Sequence, residues 1–235
     1  MRQLAKVVLI ELSKYKEWTE ILGNDREHLI QEFQSRWYNV AVRYFSNIKG
    51  FVLPLSYDKL IVIADGLKLD QIEEVMSRLR EEIMFSIDYS IGYGSNYIEA
   101  QRDAYEKLKS GKDKMRDYPN SLVYALHFDF NKFGENDLDV YQGYYKVMKI
   151  VSTFMEKAIE EGGLITYLGG DNFVGFFSAY PKNVFDKIET LDIKVGVGVG
   201  KNARESLYLA ARALHYLRQN RGQKIRVEDL GNGSV

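Results

Sequence analysis

Ser90-Ile91-Gly92-Tyr93-Gly94-Ser95-Asn96-Tyr97-Ile98-Glu99-Ala100 returns later in the chain as Gly196-Val197-Gly198-Val199-Gly200-Lys201-Asn202-Ala203-Arg204-Glu205-Ser206, an offset of 106 (90 to 196). Gly-x-Gly, then Asn, then Glu recur in register. Each copy ends a β-branched run and opens a helical pattern. Further out, Gly50-Phe51-Val52-Leu53 through Tyr57-Asp58-Lys59-Leu60 matches Gly163-Leu164-Ile165-Thr166 through Gly170-Asp171-Asn172-Phe173, an offset of 113 (50 to 163). There an Asp falls on an Asp. Leu9-Ile10-Glu11-Leu12-Ser13-Lys14-Tyr15 matches His127-Phe128-Asp129-Phe130-Asn131-Lys132-Phe133, an offset of 118 (9 to 127), and an acid again meets an acid. Three matches in one order argue for a duplicated unit of roughly 110 residues, near the modal domain size. The junction falls in Ser110–Asn120, a polar stretch without periodicity that carries Gly111 and Pro119. The two units are therefore residues 1–115 and 120–235.

Within each unit the elements read in one order. A β-rich run (Ala5–Glu11; Leu122–Asp129) leads into a long amphipathic helix. In the first unit Trp18, Ile21, Leu22, Leu29, Phe33, Trp37, Val40, Ala41 and Tyr44 fall at helical spacing. In the second, Val140, Tyr144, Val147, Met148, Val151 and Met155 do so. Two strands then meet at a tight turn (Phe51–Ser56 with Leu60–Ala64; Leu164–Leu168 with Phe173–Ser178). A short helix, a fourth strand (Phe85–Tyr93; Ile193–Val199) and a closing helix (Tyr97–Leu108; Ala203–Arg218) follow. The order β-α-β-β-α-β is the ferredoxin-like split unit. It predicts an α+β fold of two tandem antiparallel sheets, each with helices on one face.

Composition narrows the function. With 32 basic and 33 acidic residues the formal net charge is −1, and neither unit carries an excess. A basic nucleic-acid coat is not indicated. Cysteine is absent, which removes disulfides, thiolate zinc sites and cysteine nucleophiles. With three histidines, His28, His127 and His215, a metal is better served by carboxylates, hence a hard cation such as Mg²⁺. No apolar run approaches the ~20 residues of a membrane span. The N-terminus reads as a short apolar strand, and the expected location is the cytoplasm.

The ferredoxin-like order sets the end of the first strand beside the middle hairpin. In the second unit this brings Asp129 to Asp171, a pair suited to Mg²⁺ and a nucleoside triphosphate. Gly169-Gly170 before Asp171 suits a tight turn that a ligand can approach closely. Gly-Gly-Asp-Asn is also good composition for an exposed β-turn. Phe130-Asn131-Lys132 joins strand to helix, where backbone N–H groups favour phosphate and Lys132 could add charge; a plain polar loop reads the same way. His127 shares a strand face with Asp129 and is a candidate proton-transfer group, or a satisfied sheet histidine. The Gly196-x-Gly198-x-Gly200 run lacks the dinucleotide spacing and suits close packing against a neighbour or a ligand, with Lys201 as a phosphate candidate. In the first unit Glu11 and Asp58 keep the acids of a second metal site, but Ser56-Tyr57-Asp58-Lys59 lacks the glycines.

The strand acid, the hairpin Leu168-Gly169-Gly170-Asp171-Asn172-Phe173 and the ferredoxin-like order resemble the palm domains of diguanylate cyclases and class III nucleotide cyclases, with Asn172 in place of their next acid. By that resemblance Asp129, the carbonyl of Phe130 and Asp171 are Mg²⁺ ligands. A resemblance over nearly the whole chain is to the archaeal GTP cyclohydrolase III family. It is carried by the tandem palms, Gly-Gly-Asp-Asn in the second, Arg26-Glu27, Gln34-Ser35-Arg36 and Tyr38, Tyr57-Asp58, His127-x-Asp129, Trp18 after the first strand, and the segment from Gly196 to Leu214. Glu11 departs from the usual Asp. The resemblance implies hydrolysis of GTP at C8 of guanine to 2-amino-5-formylamino-6-(5-phosphoribosylamino)pyrimidin-4(3H)-one with release of phosphate. It implies Mg²⁺, with K⁺ as activator, and a homo-oligomer, dimer or tetramer. His127 becomes the candidate acid–base, Asn131 and Asn172 the guanine contacts, and Arg36 a phosphate clamp. Two rivals stand beside it: a palm-type cyclase or phosphohydrolase that leaves the purine intact, and a non-catalytic GTP-binding module.

Overall fold

The computed structural model describes residues 3–83, 85–111, 116–130, 139–220 and 222–231. The first sheet comprises β1 (Ala5–Leu12), β2 (Phe51–Pro54), β3 (Lys59–Ile63) and β4 (Ile87–Gly94), in the order β2-β3-β1-β4, all antiparallel. The second repeats it with β5 (Val123–Phe130), β6 (Leu164–Gly169), β7 (Asn172–Phe177) and β8 (Ile193–Gly200), in the order β6-β7-β5-β8. Both orders are those of the ferredoxin-like unit. One strand was not foreseen: β9 (Ile225–Asp229) adds to β8 in parallel at the sheet edge.

The strand β1 reads as a continuous apolar run because both its faces are covered. Val8, Ile10 and Leu12 face a core with Trp37, Val40, Ala41 and Phe45 of α2 (Glu27–Asn47) and Ile72, Val75, Met76 and Leu79 of α3 (Leu69–Glu82). Ala5, Val7 and Leu9 face the other way, into a layer shared with Val123, Ala125, Val174, Phe176 and Ala203 of the second unit. Phe51 and Phe176 meet across it with ring centroids 4.9 Å apart. The two repeats therefore hold one apolar layer in common. The second unit also has its own core, where Phe128, Phe173 and Val195 meet Val147, Val151, Phe154 and Ala158 of α5 (Val140–Glu160) and Val184 and Ile188 of α6 (Lys182–Glu189).

The crossover helices α2, α3, α5 and α6 lie on the outer faces. The closing helices α4 (Tyr97–Ser110) and α7 (Ala203–Gln219) take the opposite faces, which qualifies the expectation of helices on one face. The repeated Gly-x-Gly seats them. A Cβ on Gly92 would lie 2.0 Å from the carbonyl oxygen of Ala100, and one on Gly198 1.9 Å from that of Ser206. The repeated Asn and Glu start them. Asn96 and Asn202 are N-caps accepting from the backbone N–H of Glu99 and Glu205, while those glutamates accept from the N–H of Ser95 and Lys201.

Two helical expectations shift. The first long helix is broken into α1 (Tyr15–Ile21) and α2, because Gly23 adopts a left-handed φ of +81° and the Arg26 guanidinium turns back to the carbonyl of Thr19 at 2.5 Å. In α5 the buried stripe runs Val147, Val151, Phe154, Ala158, while Val140 is 92% exposed, so the first turn projects beyond the core.

Candidate active site

Asp129 is the penultimate residue of β5, nine-tenths buried, and lies opposite Asn172 on β7 and Lys194 on β8. His127, two residues earlier, points to the same side, the side that α7 covers. Lys194 cannot serve as a free cation here: it is itself buried and its ammonium donates to the carbonyl of Leu217 at 2.9 Å. The cation that meets Asp129 is Arg218, in the last turn of α7. Its Nη2 and Nε reach the two carboxylate oxygens at 2.6 and 3.1 Å, a bidentate pair.

Asp171 stands at the β6–β7 hairpin, and one of its oxygens accepts from the Asn172 side-chain amide at 2.8 Å. The turn needs its glycines for conformation: Gly169 and Gly170 have φ of +121° and +60°, and a Cβ on either would meet nothing within 4 Å. That open space is also where a ligand can come down on the hairpin. Tyr167 braces the turn through its hydroxyl, which donates to the Gly170 carbonyl at 3.1 Å. Burial lowers the pKa of His127; the hydrogen bond with Asn172 and the charges of Asp129 and Asp171 oppose this, while Arg218 adds to it. The net direction favours the neutral imidazole, and Asn172 is its hydrogen-bond partner.

The structure thus brings together His127, Asp129, Asp171 and Asn172, and adds Arg218. The ring of Phe130 packs on Phe173 with centroids 5.8 Å apart, at the same strand end. Asn131 and Lys132 lie outside the described residues. Two candidates are not at this site. Lys201 follows Gly200, which pairs with Val123 at the far end of β5, roughly 20 Å from Asp129 at about 3.4 Å per residue. Its carbonyl packs against Gly66 of the first unit instead. Arg36 is exposed on α2, where its charge acts on Glu82 at the end of α3. The expectation of a phosphate clamp from either residue is not met at this hairpin.

The first unit keeps the acids and closes them with an internal cation. Lys59 lies opposite Glu11 in the ladder and its ammonium bridges Glu11 at 2.9 Å and Asp58 at 2.8 Å. Burial would raise the pKa of Asp58, but hydrogen bonds from Lys59 and Ser56 and the Lys59 charge hold it below the ordinary carboxylate value. The hairpin still needs a left-handed residue. Tyr57, at the place of Gly170, takes φ +59° without glycine's freedom.

The fold and site define a class: a two-fold repeated, palm-like α+β protein with one glycine-opened acidic hairpin beside a half-buried histidine. The family model described as GTP cyclohydrolase III matches residues 7–228. The chain belongs to that family. A GTP cyclohydrolase III of Saccharolobus islandicus (strain M.16.27) is 36% identical over 228 residues, 95% of this chain and 99% of the relative. The GTP cyclohydrolase III of Sulfurisphaera tokodaii is 34% identical over 231 residues, 97% of this chain and 100% of the relative. Among solved structures, a bacterial light-regulated adenylyl cyclase aligns over 94% of this chain and 85% of its own, at 12% identity and a TM-score of 0.41. No described helix is long and apolar enough to cross a membrane.

Proposed function

We propose that the chain hydrolyses GTP at the second-unit hairpin, opening the imidazole ring of guanine at C8 and releasing phosphate. Family membership over residues 7–228, together with the convergence of His127, Asp129, Asp171 and Asn172 at one strand end, supports this reading.

The donor set fits a hard cation. Two carboxylates from adjoining strands act on a single cationic position, the one now taken by the guanidinium of Arg218. The donors are oxygens, as Mg²⁺ requires. Among the described residues no group of three or more His, Asp or Glu is set for a metal, so Asp129 and Asp171 would be completed by the Phe130 carbonyl, water and phosphate. Bound there, Mg²⁺ would offset the triphosphate's charge and make a water more acidic.

The chain's own residues supply the rest. His127 takes a proton from the water that adds to C8 and returns it to N9 as the C8–N9 bond breaks, while the remaining hydroxyl proton passes to N7 and the water oxygen becomes the formyl oxygen. Asn172 orients His127 and Asp171 together, which fixes the proton acceptor relative to the phosphate-binding acid. The open space over Gly169 and Gly170 admits the nucleotide. K⁺ as activator, and association into a dimer or tetramer, belong to the same reading. Tyr141 and Tyr145 of α5, 77% and 63% exposed, offer an aromatic surface for self-association.

The test is the ultraviolet spectrum of GTP incubated with the protein, Mg²⁺ and K⁺. Loss of the purine band with phosphate release, abolished by Asp171→Asn, is expected. An intact purine band overturns ring opening; pyrophosphate release with it would indicate cyclase chemistry.

A further inference from the structure

Asp129 is the site's most buried acid, and both its oxygens are already engaged. Arg218 takes them in a bidentate pair, and Asp171 acts on the same guanidinium. A carboxylate this buried is costly without a counter-charge, so a cation has to stand there whenever metal does not. The two partners are unequally held. The Asp129 side chain is 13% exposed, whereas that of Arg218 is 52% exposed and hangs from the last turn of α7. The acid is fixed and the base has room to leave.

The first unit shows the contrasting arrangement. There the cation is Lys59, carried on β3 directly opposite Glu11, with its ammonium held between Glu11 and Asp58. Strand pairing keeps it in place. At the matching position of the second unit stands Asn172, which is neutral. The counter-charge has moved from the strand to a helix end, from a fixed mount to a swinging one.

We propose that Arg218 is an exchangeable counter-cation: it holds Asp129 while metal is absent, yields Asp129 to the divalent cation, and turns to the phosphates of the nucleotide that comes with it. This rests on the reading that Asp129 and Asp171 take the cation. A guanidinium suits both duties, because carboxylate and phosphate present the same forked oxygens to it.

The experiment uses the full chain without nucleotide. Mg²⁺ is titrated calorimetrically into wild type, Arg218→Met, Arg218→Lys and Asp129→Asn, and each is melted with chelator and with saturating Mg²⁺. Removing a competing cation should tighten Mg²⁺ binding in Arg218→Met, by roughly five- to tenfold for an ordinary coupling. The same variant should melt earlier than wild type in chelator and regain most of the difference in Mg²⁺. Binding of a non-hydrolysable GTP analogue in Mg²⁺ should weaken about tenfold for a lost charge-assisted contact. Arg218→Lys, which keeps the charge, should shift Mg²⁺ affinity in the same direction by less, and it carries the test if the methionine variant does not fold. Mg²⁺ affinity that is unchanged or weaker in both Arg218 variants overturns the proposal alone. Mg²⁺ binding that survives Asp129→Asn overturns the metal reading and this proposal with it.

Discussion

Asp65 is the residue whose chemistry the site does not use and whose cost the fold carries. It is fully buried between β1, α4 and the junction segment, accepting from the Tyr97 hydroxyl at 2.8 Å, the Lys6 N–H at 3.2 Å and the Ser121 hydroxyl at 3.3 Å. Burial outweighs these donors and raises its pKa to about 7. The native state therefore binds a proton that the unfolded chain has released, between the ordinary aspartate value of about 4 and the raised one of about 7. Stability should fall as pH rises through that window and level off above it. In Asp65→Asn the slope is absent, so the variant should be less destabilised relative to wild type at pH 8 than at pH 5. Urea unfolding at the two pH values checks this, and a difference independent of pH would contradict it. At this scale the sequence was legible where residues repeat. Aligning the two units put an acid on an acid and placed Asp129 beside Asp171. Arg218 was not legible, because a basic residue in the last turn of a helix reads as ordinary dipole compensation. Nothing local ties it to an acid 89 positions away.

The helix–strand contacts discriminate between two kinds of glycine. Gly198 is required by space, since its missing Cβ would sit 1.9 Å from a backbone oxygen of α7. Gly170 is required by conformation, with open space above it and φ of +60°. Gly198→Ala should push α7 off the sheet and cost about 3 kcal/mol, as overpacking does. Gly170→Ala should cost only about 1–2 kcal/mol of left-handed strain. Thermal melts of the two variants rank them, and equal losses would show that the tight packing of α7 is dispensable. The Gly-x-Gly pattern announced close approach without saying to what. The helix now supplies the answer. Strand β9 escaped notice because Ile225-Arg226-Val227-Glu228-Asp229 is short and largely polar, as an edge strand is free to be.

The apolar layer shared by the two sheets makes one cooperative body of two repeats. Both tryptophans, Trp18 and Trp37, lie in the first unit, so their fluorescence reports that unit alone. Phe176 lies in the second unit but packs in the shared layer. Phe176→Ala should lower stability by about 3–5 kcal/mol and move the tryptophan-detected transition with the circular-dichroism transition. Separate midpoints would mean that the units melt independently. The element order predicts helices on one face of each sheet; the continuous apolar run of β1 has a second buried face as well, and a buried face does not name its cover. That each unit covers the other became visible only in three dimensions.

The two closing helices are started by their neighbours. The Gly162 carbonyl, after α5, accepts from the N–H of Tyr97 and Ile98 at the head of α4, at 2.9 and 3.3 Å. The Lys49 carbonyl, after α2, accepts from the N–H of Arg204 at the head of α7 at 3.4 Å, and the Arg204 guanidinium reaches the Ser46 carbonyl at 3.1 Å. Each half lends the other the same few atoms. Two separate copies of one half, related by a two-fold axis, could make the same kind of exchange. The chain carries the form of a dimer whose partners were joined end to end. Joined in one chain, the two halves need not match: one has an open glycine turn, and the other seals its acids with a lysine.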